Sequence, residues 1–309
     1  MEILRSIAEL AQLEGPLFLA IGVFDGVHLG HRAVISTSAR HAHSAEGTPV
    51  VVTFDPHPAK VLRPENSPHL ITSTPHKIAL IRALGVGHLL IIHFDEKFAT
   101  TSPEQFVAQL ATSAKPLREI CVGHEWSFGH KRAGNLAMLR DLGLRHQFSV
   151  VGIAPVKVSG AVVSSTAIRA RIERGDFVGA AALLGRDYTI LGTVTEGAGL
   201  GRQLGFPTAN LSAHSEQFPP DGVYFVEAWL DGVLHHGLVN IGIRPTVSGG
   251  KGERSIELHL LDFHRDIYGI DVEVRFVKFM RAEKRFETVE ALAQQIASDV
   301  KAARALCAA

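Results

Sequence analysis

The stretch LFLAIGVFDGVHLGH, residues 17–31, decides the fold. Its first five residues are apolar without alternation, as in a strand covered on both faces. The following GVFDGVHLGH packs three glycines, one aspartate and two histidines into ten residues. If a helix begins near Gly30, a buried strand end, a turn of little bulk and a helix N-terminus meet at one point. Four further apolar runs repeat the beginning: PVVVTF (49–54), HLLIIHF (88–94), REICVG (118–123) and FSVVGI (148–153). Between them stand helix-like segments, among them Pro75–Leu84 and Pro103–Leu110, each opening on a proline. The alternation predicts an α/β, Rossmann-like, doubly wound parallel sheet with ligands at the carboxyl ends of its strands.

After residue 186 the rhythm changes. VYFVEAWL (223–230) and VLHHGLVNIGI (233–243) flank Asp231-Gly232, a pair suited to a two-residue hairpin turn. Further on, Ile256, Leu258 and Leu260 alternate with Glu257 and His259, which places the last two on the opposite face. Several such strands within about a hundred residues predict a small antiparallel β-barrel. Thr288 is the expected N-cap of a closing helix, in which Val289, Leu292, Ile296, Val300 and Leu306 recur at helical spacing. The helix-like SSTAIRARIERGDFVGAAALL (164–184) ends the first half, so domains are expected at 1–184 and 185–309. A chain of 309 residues exceeds what one hydrophobic core usually holds.

Thirty-one basic residues balance thirty-one acidic ones, so no positive excess exists to hold a polyanion, and no nucleic-acid partner is expected. No apolar run approaches ~20 residues, so no membrane span is expected either. The opening MEILRSIAELAQLEG carries Glu2 and Glu9 where a secretory signal needs an apolar core. Cys121 and Cys307 are the only cysteines and form no C-x-x-C, as expected of reduced thiols in a cytoplasmic protein. The oligomeric state is left open by the sequence.

Phosphate is attracted by the backbone N–H groups and dipole at a helix start. Gly22 and Gly26 would let a nucleotide approach the backbone closely. His28 and His31 could then donate hydrogen bonds to phosphate oxygens as charge develops. A lone H-x-x-H also arises by chance in a chain with seventeen histidines. A zinc site is a third reading, although no Cys or H-E-x-x-H accompanies the pair. In the second half, GAGLGRQLGFPTANL (197–211) is not a P-loop, because no G-K-[ST] follows. Thr208 and Asn210, two apart in an extended segment, would present two neutral oxygens to one spot, a pair suited to Mg²⁺ shared with ATP phosphates.

The whole string G-x-F-D-G-V-H-x-G-H, followed in order by TFDPHP (53–58), GHEWSFGHKRAG (123–134) and SSTAIR (164–169), resembles the HxGH nucleotidyltransferases. More narrowly it resembles the prokaryotic bifunctional riboflavin kinase/FAD synthetases. PTAN (207–210), PPDGVY (219–224), VNIGIRPTV (239–247), IELHLLDF (256–263), DIYG (266–269) and FMRAEKRF (279–286) resemble their kinase half. The resemblance implies an HxGH nucleotidyltransferase domain followed by a six-stranded riboflavin kinase barrel with a C-terminal helix. It implies Mg²⁺ as cofactor and ATP, riboflavin, FMN and FAD as substrates or products. Riboflavin would be phosphorylated to FMN in the second domain, and FMN adenylylated to FAD, with release of pyrophosphate, in the first.

Position by position, the resemblance implies that His28 and His31 are catalytic, and that Gly22, Phe24, Asp25, Gly26, Gly30, Ser165, Thr166 and Arg169 hold ATP and its phosphates. It implies flavin contacts by Asp55, His57, Glu125, Trp126, Phe128 and Arg281, and Mg-ATP contacts in the kinase by Gly201, Thr208 and Asn210. Glu257 would accept the proton of the ribityl 5′-hydroxyl as that oxygen attacks the γ-phosphate; His259 on the same face is read as structural. The chain departs from the family pattern at Glu125-Trp126, where Asp or Asn precedes Phe, and at Ala167, where Arg is usual. Altered affinity rather than lost adenylyl transfer is the expected result. Readings from other classes are a monofunctional riboflavin kinase with a non-catalytic first domain, a flavin-binding regulator, and an RNA-binding relative of the class I aminoacyl-tRNA synthetases. The neutral charge balance disfavours the last.

Overall fold

The computed structural model describes residues 1–196, 205–244 and 253–307. They form two compact units, Met1–Leu70 with Thr74–Ser165, and Ile71–Ser73 with Thr166–Ala309.

The first unit is built on six parallel strands: β1 (Glu2–Leu4), β2 (Leu17–Ile21), β3 (Thr48–Asp55), β4 (His88–His93), β5 (Leu117–Gly123) and β6 (Ser149–Ile153). Their order is β1-β4-β3-β2-β5-β6, so the winding reverses beside β2, the crevice where such sheets bind ligands. Six helices connect them: α1 (Leu29–Ser44), α2 (Pro58–Leu62), α3 (Thr74–Ala83), α4 (Glu96–Ala99), α5 (Pro103–Ser113) and α6 (Leu136–His146). Successive residues of one strand feed two cores. Leu19, Ile21, Val52 and Ile120 pack with Phe106 and Leu110 of α5 and Leu139 of α6. Ala20, Val51, Leu89 and Ile91 pack with Val34 and Ile35 of α1 and Ile81 of α3. This double coverage is why the strands carry apolar residues at every position. The edge strand β1, paired with β4 from Glu2 to Leu4, is too short to leave a readable pattern.

A small hairpin, β7 (Lys157–Val158) and β8 (Ala161–Val162), precedes α7 (Ser165–Ile172) and α8 (Phe177–Leu184). The stretch 164–184 reads as one helical segment, but the structure breaks it at Gly175, whose φ of 71° suits glycine. Asp176 then caps α8, its carboxylate accepting the Gly179 N–H at 2.8 Å.

In the second unit, β9 (Thr189–Thr195), β10 (Ala209–Ala213), β11 (Gly222–Leu230), β12 (Val233–Arg244), β13 (Glu253–Leu260) and β14 (Asp271–Arg281) close an antiparallel barrel in the order β10-β13-β12-β11-β14-β9. Asp231 and Gly232, at φ 49° and 79°, make the tight turn between β11 and β12. The final helix, α9 (Val289–Cys307), begins where the Thr288 hydroxyl accepts the Ala291 N–H at 3.1 Å. Its Val300 and Ala303 pack on Val223, Phe225 and Leu238. Phe177 of α8 stacks on Phe276 at 5.4 Å and on Tyr188 at 6.4 Å, so α8 packs with the barrel, ahead of the residue 184 division read from the sequence.

The Gly179 N–H, aided by the Arg171 guanidinium 2.6 Å away, holds the Asp176 carboxyl below the usual aspartate range. A depressed carboxyl contributes stability above its unfolded value, near 4, and loses it as pH falls through the lower native value. Asp176→Ala is therefore expected to destabilise the second unit by about 1 kcal/mol at neutral pH, measured by urea unfolding. The deficit should shrink as pH falls below about 4.

Candidate functional site

β2 ends in the central crevice, and the chain reaches α1 through a turn that most residues avoid. Phe24, Gly26 and Val27 have φ of 53°, 87° and 40°, and a β-branched residue there is strained. The Phe24 ring is buried at 1% exposure and folds back over Gly22, where a Cβ would stand 2.7 Å from it. His28 is the N-cap of α1, its Nδ1 accepting the His31 N–H at 3.3 Å. That bond assigns the proton of a neutral His28 to Nε2, making Nε2 a donor. The two imidazoles stack at 3.5 Å and 18°, and Phe24 meets His31 edge-on at 5.4 Å. Gly30 passes close beneath: a Cβ there would lie 3.1 Å from the His28 ring. Ser165, the first residue of α7, donates its hydroxyl to the Asp25 carbonyl at 3.0 Å. Thr166 and Arg169 follow on the same helix.

The neighbouring strand ends supply the remaining expected groups. Asp55 ends β3 and accepts the Thr74 hydroxyl at 2.6 Å. His57 caps α2, its Nδ1 accepting the Ala59 N–H at 3.0 Å. After β5, Trp126 stacks on Phe128 at 4.5 Å and 10°, while Phe128 packs against Phe106 and exchanges two backbone hydrogen bonds with Gly134. Glu125 beside them is exposed. One residue absent from the sequence reading lies among these groups. Lys77 of α3 is buried, and its ammonium donates to the Val23 carbonyl at 2.9 Å. Burial pulls its pKa below the usual lysine range, against the opposing charges of Asp25 and Asp55.

In the barrel, register brings the expected kinase residues into one row. Glu257 of β13 stands opposite Asn210 of β10 on one side and Asn240 of β12 on the other. Residues directly opposite in an antiparallel pair share a face, so Asn210, Glu257 and Asn240 form a contiguous polar strip. The row continues through Val223 to Arg281. Val223 packs on α9, which places the row on the outer face beside that helix. Arg281 is held by Asp299 of α9 through contacts of 2.8 and 2.9 Å. His259, on the Glu257 face, donates from Nδ1 to the Pro207 carbonyl at 2.8 Å and so fixes the segment ahead of Thr208. Asn240 was not singled out in the sequence, because its partnership with Glu257 is a matter of register between strands. Gly201 lies outside the described residues.

A family model described as FAD synthetase matches residues 11–167, and one described as riboflavin kinase matches residues 184–307. A bifunctional riboflavin kinase/FMN adenylyltransferase of Pseudomonas fluorescens is 36% identical over 100% of this chain and 98% of its own length. The chain belongs to the bifunctional riboflavin kinase/FMN adenylyltransferase family. Members from Escherichia coli K12 and Bacillus subtilis 168 are 34% and 35% identical, over 98% and 91% of this chain and 97% and 89% of theirs. A solved structure titled as a macrolide-efflux protein from Streptococcus pneumoniae superposes with a TM-score of 0.81 at 26% identity, covering 98% of this chain and 99% of that one. Among the described residues no helix is long and apolar enough to cross a membrane.

For a riboflavin kinase/FMN adenylyltransferase, the close approach of Gly22 to Phe24 has a direct consequence. Gly22→Ala would push the Phe24 ring, and with it the turn that carries His28. FAD formation from FMN is expected to fall about 10- to 100-fold, as a displacement near 1 Å does elsewhere. FMN formation from riboflavin should be unchanged, both read by chromatography of the flavin products.

Proposed function

We propose that the two halves of the chain catalyse successive steps of flavin cofactor synthesis. The second phosphorylates riboflavin to FMN with ATP; the first transfers AMP from another ATP to FMN, giving FAD and pyrophosphate. The observation that carries this reading is the coincidence of each family match with a built site: the stacked histidines at the β2 crevice, and Glu257 between two asparagines on the barrel. We divide the catalytic domains at 1–184 and 185–309, in keeping with a kinase match that begins at 184.

Both reactions are attacks by oxygen on phosphorus, which are accelerated mainly by positioning and charge stabilisation. In the first, an FMN phosphate oxygen attacks the α-phosphorus of ATP. His28 donates from Nε2, and His31 from its stacked ring, to oxygens on which charge builds. Ser165, Thr166 and Arg169 hold the leaving polyphosphate through hydroxyls and a guanidinium fork. Gly22, Gly26 and Gly30, with Phe24 and Asp25, keep the nucleotide close to the backbone. Asp55, His57, Glu125, Trp126 and Phe128 receive the flavin, with Trp126 and Phe128 offering ring faces.

In the second, Glu257 accepts the proton of the ribityl 5′-hydroxyl as that oxygen attacks the γ-phosphate. Arg281, steadied by Asp299, contacts the flavin. Mg²⁺ would suit the Thr208 hydroxyl and the Asn210 amide oxygen, which are hard neutral donors. When bound with ATP it supplies charge neutralisation at the phosphates. We place the enzyme in the cytoplasm, with small molecules rather than nucleic acid or membrane as partners, a reading supported by balanced charge and two free thiols.

Glu257→Gln is expected to lower FMN formation by about 10²- to 10⁴-fold while FMN is still converted to FAD. His28→Ala should do the reverse. Loss of both activities in either folded variant would refute separate sites. Wild-type protein that phosphorylates riboflavin but yields no FAD from FMN, ATP and Mg²⁺ would leave a kinase alone.

A further inference from the structure

We infer that Lys77 is a positioning residue for adenylyl transfer, its buried ammonium locking the Val23 carbonyl at the head of the strained turn that aims His28. The inference rests on the reading of His28 and His31 as the adenylyl-transfer site.

Two donors converge on that carbonyl. The Thr53 hydroxyl of β3 reaches it at 3.0 Å and the Lys77 ammonium of α3 at 2.9 Å. The two donors lie 3.5 Å apart. All three side chains around this point, Thr53, Lys77 and Asp25, are at most 4% exposed. Directly after Val23 come Phe24, Gly26 and Val27 at positive φ. Such a turn persists only where its surroundings over-determine it. Holding its first carbonyl from a strand and a helix at once supplies that restraint.

A lysine is a costly choice for a merely structural bond. A neutral hydroxyl already serves the carbonyl, and burying an ammonium opposes folding unless countercharges compensate. Here Asp25 and Asp55 act electrostatically on the ammonium, and both sit at carboxyl ends of strands flanking the crevice. Asp25 belongs to the turn itself. Asp55 is oriented by Thr74, one helical turn before Lys77 on α3. The ammonium is thus charge-paired with Asp25 and Asp55 while it bonds the turn. Groups of this kind, desolvated but charge-paired and close to a crevice, concentrate at functional sites.

The test uses the full-length chain with Lys77→Met, Lys77→Arg and His28→Ala. FAD formation from FMN is measured with kcat and KM separated, FMN formation from riboflavin is followed in parallel, and unfolding is monitored by circular dichroism. Losing one charge-assisted hydrogen bond that acts on transition-state geometry should lower kcat about 10- to 100-fold in Lys77→Met. The KM values for ATP and FMN should stay within about threefold, the split expected when ground-state binding is spared. Riboflavin phosphorylation should be unchanged, and Lys77→Arg should recover part of the lost kcat. If Lys77→Met loses the first unit's unfolding transition, Lys77→Gln, which keeps a donor but not the charge, takes its place and must show part of that kcat loss with KM again within about threefold. Wild-type kcat in a folded Met or Gln variant overturns the role of Lys77, as does a folded Arg variant no better than Met. Normal FAD synthesis by His28→Ala would instead overturn the underlying site.

Discussion

Between Ile21 and Leu29 a strand buried on both faces must become a helix whose first turn carries two histidines. The conversion uses two non-glycine residues at positive φ, Phe24 and Val27, at a typical cost of about 1–3 kcal/mol each. What offsets that cost comes from elsewhere in the chain. β3 and α3 hold the Val23 carbonyl, α7 holds the Asp25 carbonyl, and the Phe24 ring is sunk in the core beneath Gly22. The turn is therefore a joint product of elements that are far apart in sequence. Its histidines inherit their orientation from that assembly.

The barrel meets a different constraint. Closure removes every sheet edge, and alternation then divides its residues between a filled interior and an outer face. Tyr224, Val226, Ile256 and Leu258 are buried, while Glu257 and His259 remain half-exposed between buried neighbours. Chemistry on such a surface is set by register rather than by loop shape. Asn210, Glu257 and Asn240 come from three strands and meet because the ladders on either side of β13 place them opposite one another. On the same row Arg281 is tied to α9, so the helix that covers the barrel also fixes the edge of its polar strip.

The parallel strands were legible because double coverage demands apolar residues at every position, as at 17–21 and 49–54. Glu257 was assigned its face because alternation writes it directly into one strand. Asn240 and Lys77 were not legible. The first depends on pairing between strands, and the second is a polar residue in a helix whose burial follows from tertiary packing. The break at Gly175 was hidden by an apolar pattern that runs on through both α7 and α8. H-x-x-H was ambiguous for a physical reason: a three-residue separation suits a metal pair, a chance match and the bond from an N-cap to the third helical residue. In the structure His28 and His31 hold the third relation.

The stacking of Phe177 on Tyr188 and Phe276 also concerns how the kinase half can be handled as a separate object. A gene fragment beginning at residue 185 would code for all six barrel strands and still leave behind the ring that stacks on the buried Tyr188 and Phe276. Tyr188 and Phe276 would then each lose a stacking partner. A fragment cut out at the bench keeps this aromatic packing only when it carries the short helix along with the barrel.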